Sequence, residues 1–187
     1  MKDALANPAP LGLMGFGMTT VLLNIHNAGF FENDIMILAM GIFYGGLAQV
    51  IAGIMEFKKG NTFGTTAFTS FGLFWLTLVF ILLGAKFEWY AFSAVFLGWY
   101  LFMWGFFTFC MWVATWKKNR ALQFVFLSLT VLFLMLALGH WFEMPAWFGL
   151  FTGLEGIICG LSAIYLAAAE VINESKGRTV LPICPVD

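Results

Sequence analysis

The tightest constraint on this chain is where its charges are missing. Residues 4–31, 35–55, 60–85, 89–116 and 121–142 contain no Asp, Glu, Lys or Arg, and 144–169 contains only Glu155. Each run matches the ~20 apolar residues that carry a helix across a bilayer core. Six spanning helices are predicted, near 10–28, 35–56, 66–84, 92–114, 121–139 and 148–171. Composition agrees, since 10% charged residues and a mean hydropathy of +0.91 leave too little charge to cover a soluble domain, which carries roughly 25%. The expected fold is an all-α polytopic membrane protein. It forms one six-span domain over 1–187, with a short cytoplasmic leader, 1–9, and a cytoplasmic tail, 172–187.

Basic residues set the orientation. With both termini in the cytoplasm, Lys2, Lys58, Lys59, Lys117, Lys118, Arg120, Lys176 and Arg178 lie inside and only Lys86 lies outside, as the positive-inside rule asks. The first run has no basic cluster and no Ala-x-Ala site, so it reads as a retained span rather than a signal peptide. A net charge of −1 argues against a nucleic-acid partner. Three widely spaced cysteines, Cys110, Cys159 and Cys184, do not make a disulfide framework.

Several predicted spans carry polar faces. Phe16, Thr20, Asn24 and Asn27 share one face of the first span, and Gly45, Gln49, Gly53 and Glu56 one face of the second. The third holds Thr65, Thr66, Thr69 and Ser70, and later spans add Gln123, Thr130, Glu155, Ser162 and Tyr165. Polar groups at membrane depth face a bundle interior or a water-filled route. The plainer alternative is that Thr and Ser bond to their own helix carbonyls. For Asn24 and Gln49 the alternative is helix-to-helix glue. His26 and Glu155 are candidates for a pH-sensitive or outer-vestibule role, and Glu56 for a cap or anchor of the cytoplasmic end beside Lys58 and Lys59. The pairs Gly41/Gly45, Gly149/Gly153 and Gly156/Gly160 have the spacing of close helix contacts. Neither metal-ligand spacing nor a phosphate-binding loop occurs, so no enzyme, metal or cofactor is expected.

A more specific signal is the string Asn7-Pro8-Ala9-Pro10-Leu11-Gly12-Leu13. Together with Gly45-Gly46-Leu47-Ala48-Gln49, Gly60-Asn61-Thr62-Phe63-Gly64 and Gly160-Leu161-Ser162-Ala163-Ile164-Tyr165, it resembles the acetate uptake transporter family, which includes bacterial succinate–acetate permeases. The likeness runs from about residue 4 to residue 182. It implies a six-helix protomer with its own central pathway, a ring-shaped homo-hexamer in lipid of the bacterial inner membrane, and passage of acetate and other small carboxylates such as succinate. The family is described both as a proton-coupled symporter and as an anion channel, and some branches are linked to ammonia export.

By the same resemblance, Phe16, Phe71 and Leu129 form the constriction. Phe71 stands where Tyr is usual, so one hydroxyl is missing there. Ala163 matches a small residue beside the path, and Glu155 replaces an expected uncharged residue. Thr20, Asn24, Gln49, Thr66, Thr69 and Thr130 are the candidate pathway residues, because a carboxylate leaving water needs donors. Two alternatives stay open on the residues alone: a channel for ammonia or another small neutral solute, and a non-transporting membrane scaffold.

Overall fold

Four of the six helical rods begin on a side chain that accepts a bond from the first free N–H groups: Asp34, Asn61, Ser93 and Asn119. These caps satisfy donors that would otherwise be orphaned. The other two rods begin at Pro8 and Pro145, where a fixed φ suits the first turn. In the computed structural model, residues 5–32, 34–91 and 93–186 are described. The rods are α1 (Ala9–Asn27), α2 (Ile35–Lys59), α3 (Thr62–Lys86), α4 (Ala94–Val113), α5 (Arg120–Trp141) and α6 (Ala146–Lys176).

Among the described residues, five of these, α2 to α6, are long and apolar enough to cross a membrane. α1 falls short because Thr19, Thr20 and Asn24 interrupt it, and all three are buried against neighbouring rods. These three polar residues are therefore part of the interior. The last rod runs to Lys176, not 171, and stops where Gly177 adopts a left-handed φ of 61°.

The rods pack as three antiparallel pairs. α1 lies on α6 with glycine against backbone: a Cβ at Gly17 would meet the Gly160 carbonyl, and one at Gly160 would meet that of Gly17. Gly153 and Gly156 continue the seam against Ala28 and Asn24, whereas Gly149 faces open space. α2 lies on α3 through Gly41, Gly46 and Gly53, and α4 on α5 through Gly98 and Gly105. Glycine brings the backbones close enough for dispersion contacts and leaves no room for a side chain. Between α3 and α4 the contact is aromatic instead. Phe71 meets Phe107 at 5.4 Å, and Phe74 meets Trp104 at 5.2 Å.

Residues 43–48 of α2 form a π-helical turn. The extra residue widens the helix where Gly45 packs on Thr19 and Trp75, and delivers Gln49 to the interior. Such π turns recur at functional sites.

Candidate functional site

Phe16 of α1, Phe71 of α3 and Leu129 of α5 are drawn together in the bundle centre, each about 95% buried or more. With Leu13, Ala67, Phe68, Val125, Phe126 and Gln49 they line a cavity of about 20 Å³. That is room for about one water molecule. Phe16 and Phe71 are 6.0 Å apart between ring centroids, and Phe126 closes the other side of Phe71 at 6.0 Å. No side-chain hydroxyl or charge enters this pinch. Its one polar side chain is Gln49, whose Oε1 is buried without a partner.

Two more buried polar atoms without a hydrogen-bond partner, Thr20 Oγ1 and Trp75 Nε1, lie near the pinch residues in sequence. Thr20 stands four residues beyond Phe16 and Trp75 four beyond Phe71, so each shares a helix face with a pinch residue one turn away. Trp75 was not singled out in the sequence, because tryptophan in an apolar span reads as packing.

Toward the basic end the pinch borders a second cavity of about 310 Å³, and Leu13 and Phe68 line both. Its walls are polar. Asn7 donates to Glu170 Oε2 at 2.8 Å and accepts from Lys59 Nζ at 3.0 Å, so the first residue of the Asn-Pro-Ala-Pro string ties three rods. Glu56 is fully buried; its Oε2 accepts from Asn61 at 2.8 Å and its Oε1 has no partner. It thus turns inward and anchors this end of α2 to Asn61, with no bond to Lys58 or Lys59 among the described residues. Lys118, Asn119, Ile183 and Pro185 complete the wall.

The last two belong to a strap, 178–186, folded back over this end. Asn173 Oδ1 accepts from the N–H groups of Val180 and Leu181 while its Nδ2 donates to the Leu181 carbonyl. The carbonyls of Cys184 and Ile183 accept from Arg120 N and Ala121 N, the first free donors of α5.

The remaining candidates are distributed differently. Asn24 is 1% exposed; it donates to the Thr20 carbonyl at 2.9 Å and accepts from Asn27 at 3.0 Å, packed against Gly156. Thr130 bonds to the Phe126 carbonyl of its own helix, and Gln123 ties the α4–α5 turn through the Thr115 and Trp116 carbonyls. Thr66 is exposed and lines a surface hollow with Phe57, Gly60 and Thr65. It is therefore not a wall of the pinch. Thr69 packs against Gly53 in the α2–α3 seam. Ala163 is fully buried but does not line the pinch.

His26 donates from Nδ1 to the Phe31 carbonyl at 2.9 Å, beside a cavity of about 420 Å³ that shares no residue with the pinch. At the acidic end a cavity of about 190 Å³ runs along Asn27, Leu136, His140, Phe148 and Thr152. Glu155 is not among its walls. The expected outer-vestibule position fails because Glu155 lies a turn deeper, bonded to Ser128 across the α5–α6 seam.

Comparison with known proteins decides the family, since the GPR1/FUN34/yaaH family profile matches residues 1–187. The chain belongs to that family. The resemblance read from the Asn-Pro-Ala-Pro string is thereby borne out. Among relatives in the family, the succinate-acetate/proton symporter SatP of Escherichia coli strain K12 is 64% identical over 180 residues, covering 96% of this chain and 95% of that protein. Acetate permease A of Emericella nidulans is 32% identical over 95% of this chain and 65% of its own length. The yeast ammonia transport outward protein 2 is 37% identical over 91% of this chain and 63% of its own. A solved structure described as the bacterial acetate channel SatP superposes with a TM-score of 0.93 at 63% identity, covering 96% of this chain and 99% of that one.

Proposed function

We propose that this chain conducts acetate and related small carboxylates, succinate among them, across a bacterial inner membrane, coupled to protons. Each protomer carries its own pathway, the protomers assemble as a homo-hexameric ring in lipid, and both termini lie in the cytoplasm. The single unit spans 1–187, with the 310 Å³ cavity as its cytoplasmic vestibule.

The observation that carries this reading is the dry pinch of Phe16, Phe71 and Leu129 bordering a polar vestibule, with Gln49 in its wall. Aliphatic and aromatic groups exclude hydrated ions, as hydrophobic gates do, and admit a methyl group once the gap widens. Thr20 Oγ1 and Trp75 Nε1, unpartnered one turn beyond, supply donors to a carboxylate that has left water. At about 20 Å³ the pinch is too small for acetate, so passage requires movement of its walls. The identity to a succinate-acetate/proton symporter supports the solute class. Ammonia is the second reading, favoured by the yeast relative's name.

Labelled acetate flux into liposomes holding only the purified protein, with and without an imposed pH gradient, tests the proposal. Gradient-driven accumulation above empty-liposome controls, abolished by a protonophore, is the expected result. Gradient-insensitive equilibration points to a channel. No excess acetate flux, with ammonia flux present, overturns the carboxylate reading.

A further inference from the structure

Glu155 is an acid the pathway does not use. It stands nine residues into α6, and its partner Ser128 eight residues into the antiparallel α5. At ~1.5 Å per residue both lie ~12–14 Å from opposite ends, near the middle of a ~30 Å core. Ser128 Oγ donates to Glu155 Oε1, while Oε2 is buried with no partner. The groups nearest the carboxyl among the described residues are uncharged: Ser128 from α5 and Cys159 one turn along α6, while Asn24 of α1 packs on the neighbouring Gly156. No Lys or Arg occurs in α5 between Ala121 and Trp141, and His140 is twelve residues from Ser128, about 18 Å along the axis.

The position matters because of what lies beside it on α5. Ser128 adjoins Leu129, and one turn earlier the Cys159 thiol lies 3.8 Å from the Val125 carbonyl. Leu129 and Val125 both line the pinch. Two side-chain ties from α6 therefore hold the flank of the same short segment whose neighbouring face closes the route.

We infer that Glu155 is a positioning residue for the pinch: protonated and bonded to Ser128 it seats α5 and keeps the gap shut, and its deprotonation releases α5 and widens the gap. The physical reason is the orphan oxygen. A neutral carboxyl leaves one O–H without an acceptor, whereas a carboxylate at that depth leaves a whole charge on a single donor, which costs far more and requires more donors. The seam can supply them only by admitting water, which separates α6 from the Ser128–Leu129 segment. The proton leaves to that water. This inference rests on the carboxylate-transport reading and adds its regulation.

The test is labelled acetate exchange in liposomes at equal pH on both sides, from about pH 5 to about pH 8, expressed as the ratio of each variant to the parent. Glu155→Gln keeps an acceptor for Ser128 and cannot ionise. Its ratio is expected near one at the acid end and to fall roughly threefold or more at the alkaline end. Ser128→Ala removes the tie in every state, so its ratio is expected above one at the acid end and near one at the alkaline end. Opposite signs for the two variants separate a latch from structural damage. Flat ratios for both, or shifts in the same direction, overturn the inference. If one variant fails to fold, the other decides alone. Absence of acetate exchange by the parent refutes the transport reading itself.

Discussion

α6 uses its two faces differently. Against α1 it presents Gly153, Gly156 and Gly160, so that backbone meets backbone and a single added Cβ would collide with the Gly17 carbonyl or the Asn24 amide. Against α5 it presents Glu155 and Cys159, two side chains reaching across to Ser128 and the Val125 carbonyl. A glycine seam has one arrangement, because no rotamer can change to relieve a shift. A seam of side-chain ties has at least two, tied and untied. The first builds a rigid frame; the second borders the pinch, where the proposed route needs movement.

Breaking the frame is expected to have the largest effect. Gly160→Val drives branched carbons into the Gly17 carbonyl and Val21, and overpacking of this kind costs about 1–3 kcal/mol, more where backbone is struck. Loss of a folded peak in gel filtration is expected. Next comes Leu129→Ala, which removes the pinch side chain that lies against the adjustable seam. A loss of ~2–5 kcal/mol in stability should accompany faster acetate flux and entry of bulkier acids. Thermal unfolding and flux across a carboxylate series check both. Asn173→Ala lies away from both seams and removes three bonds from the strap, at about 1–3 kcal/mol. Alkylation of the exposed Cys184 should accelerate as the strap detaches, with α1 and α6 still paired.

The smallest effect belongs to Phe71→Tyr. Its hydroxyl enters a cavity whose only polar side chain, Gln49, has a free Oε1. A bond between them offsets most of the burial cost, to within about 1 kcal/mol, and solute preference should shift toward acids that accept that hydroxyl. Unchanged preference across the carboxylate series would place selectivity elsewhere.

The helices were legible because uncharged runs of the right length have few other uses, and their ends moved by only a few residues. The pinch residues came from resemblance, and periodicity alone does not find them. Thr66 shows why: helical spacing groups residues by face but does not say which face turns inward. Thr66 and Phe71 are five residues apart, about 140° around the helix, so one of them had to point away. Ala67, four residues before Phe71, lines the pinch instead. The 310 Å³ cavity was hidden because Asn7, Glu56, Asn61, Glu170 and Ile183 are scattered along the chain. Glu155 stood out at once as a charge in a span, but its depth depends on pairing with Ser128, which no local pattern announces.

Acetate flux through Leu129→Trp in liposomes, in protein that elutes and melts like the parent, is the most direct test of a route through Phe16, Phe71 and Leu129. An indole at that point should plug the gap and abolish protein-dependent flux. Flux equal to the parent's would mean that the solute crosses elsewhere.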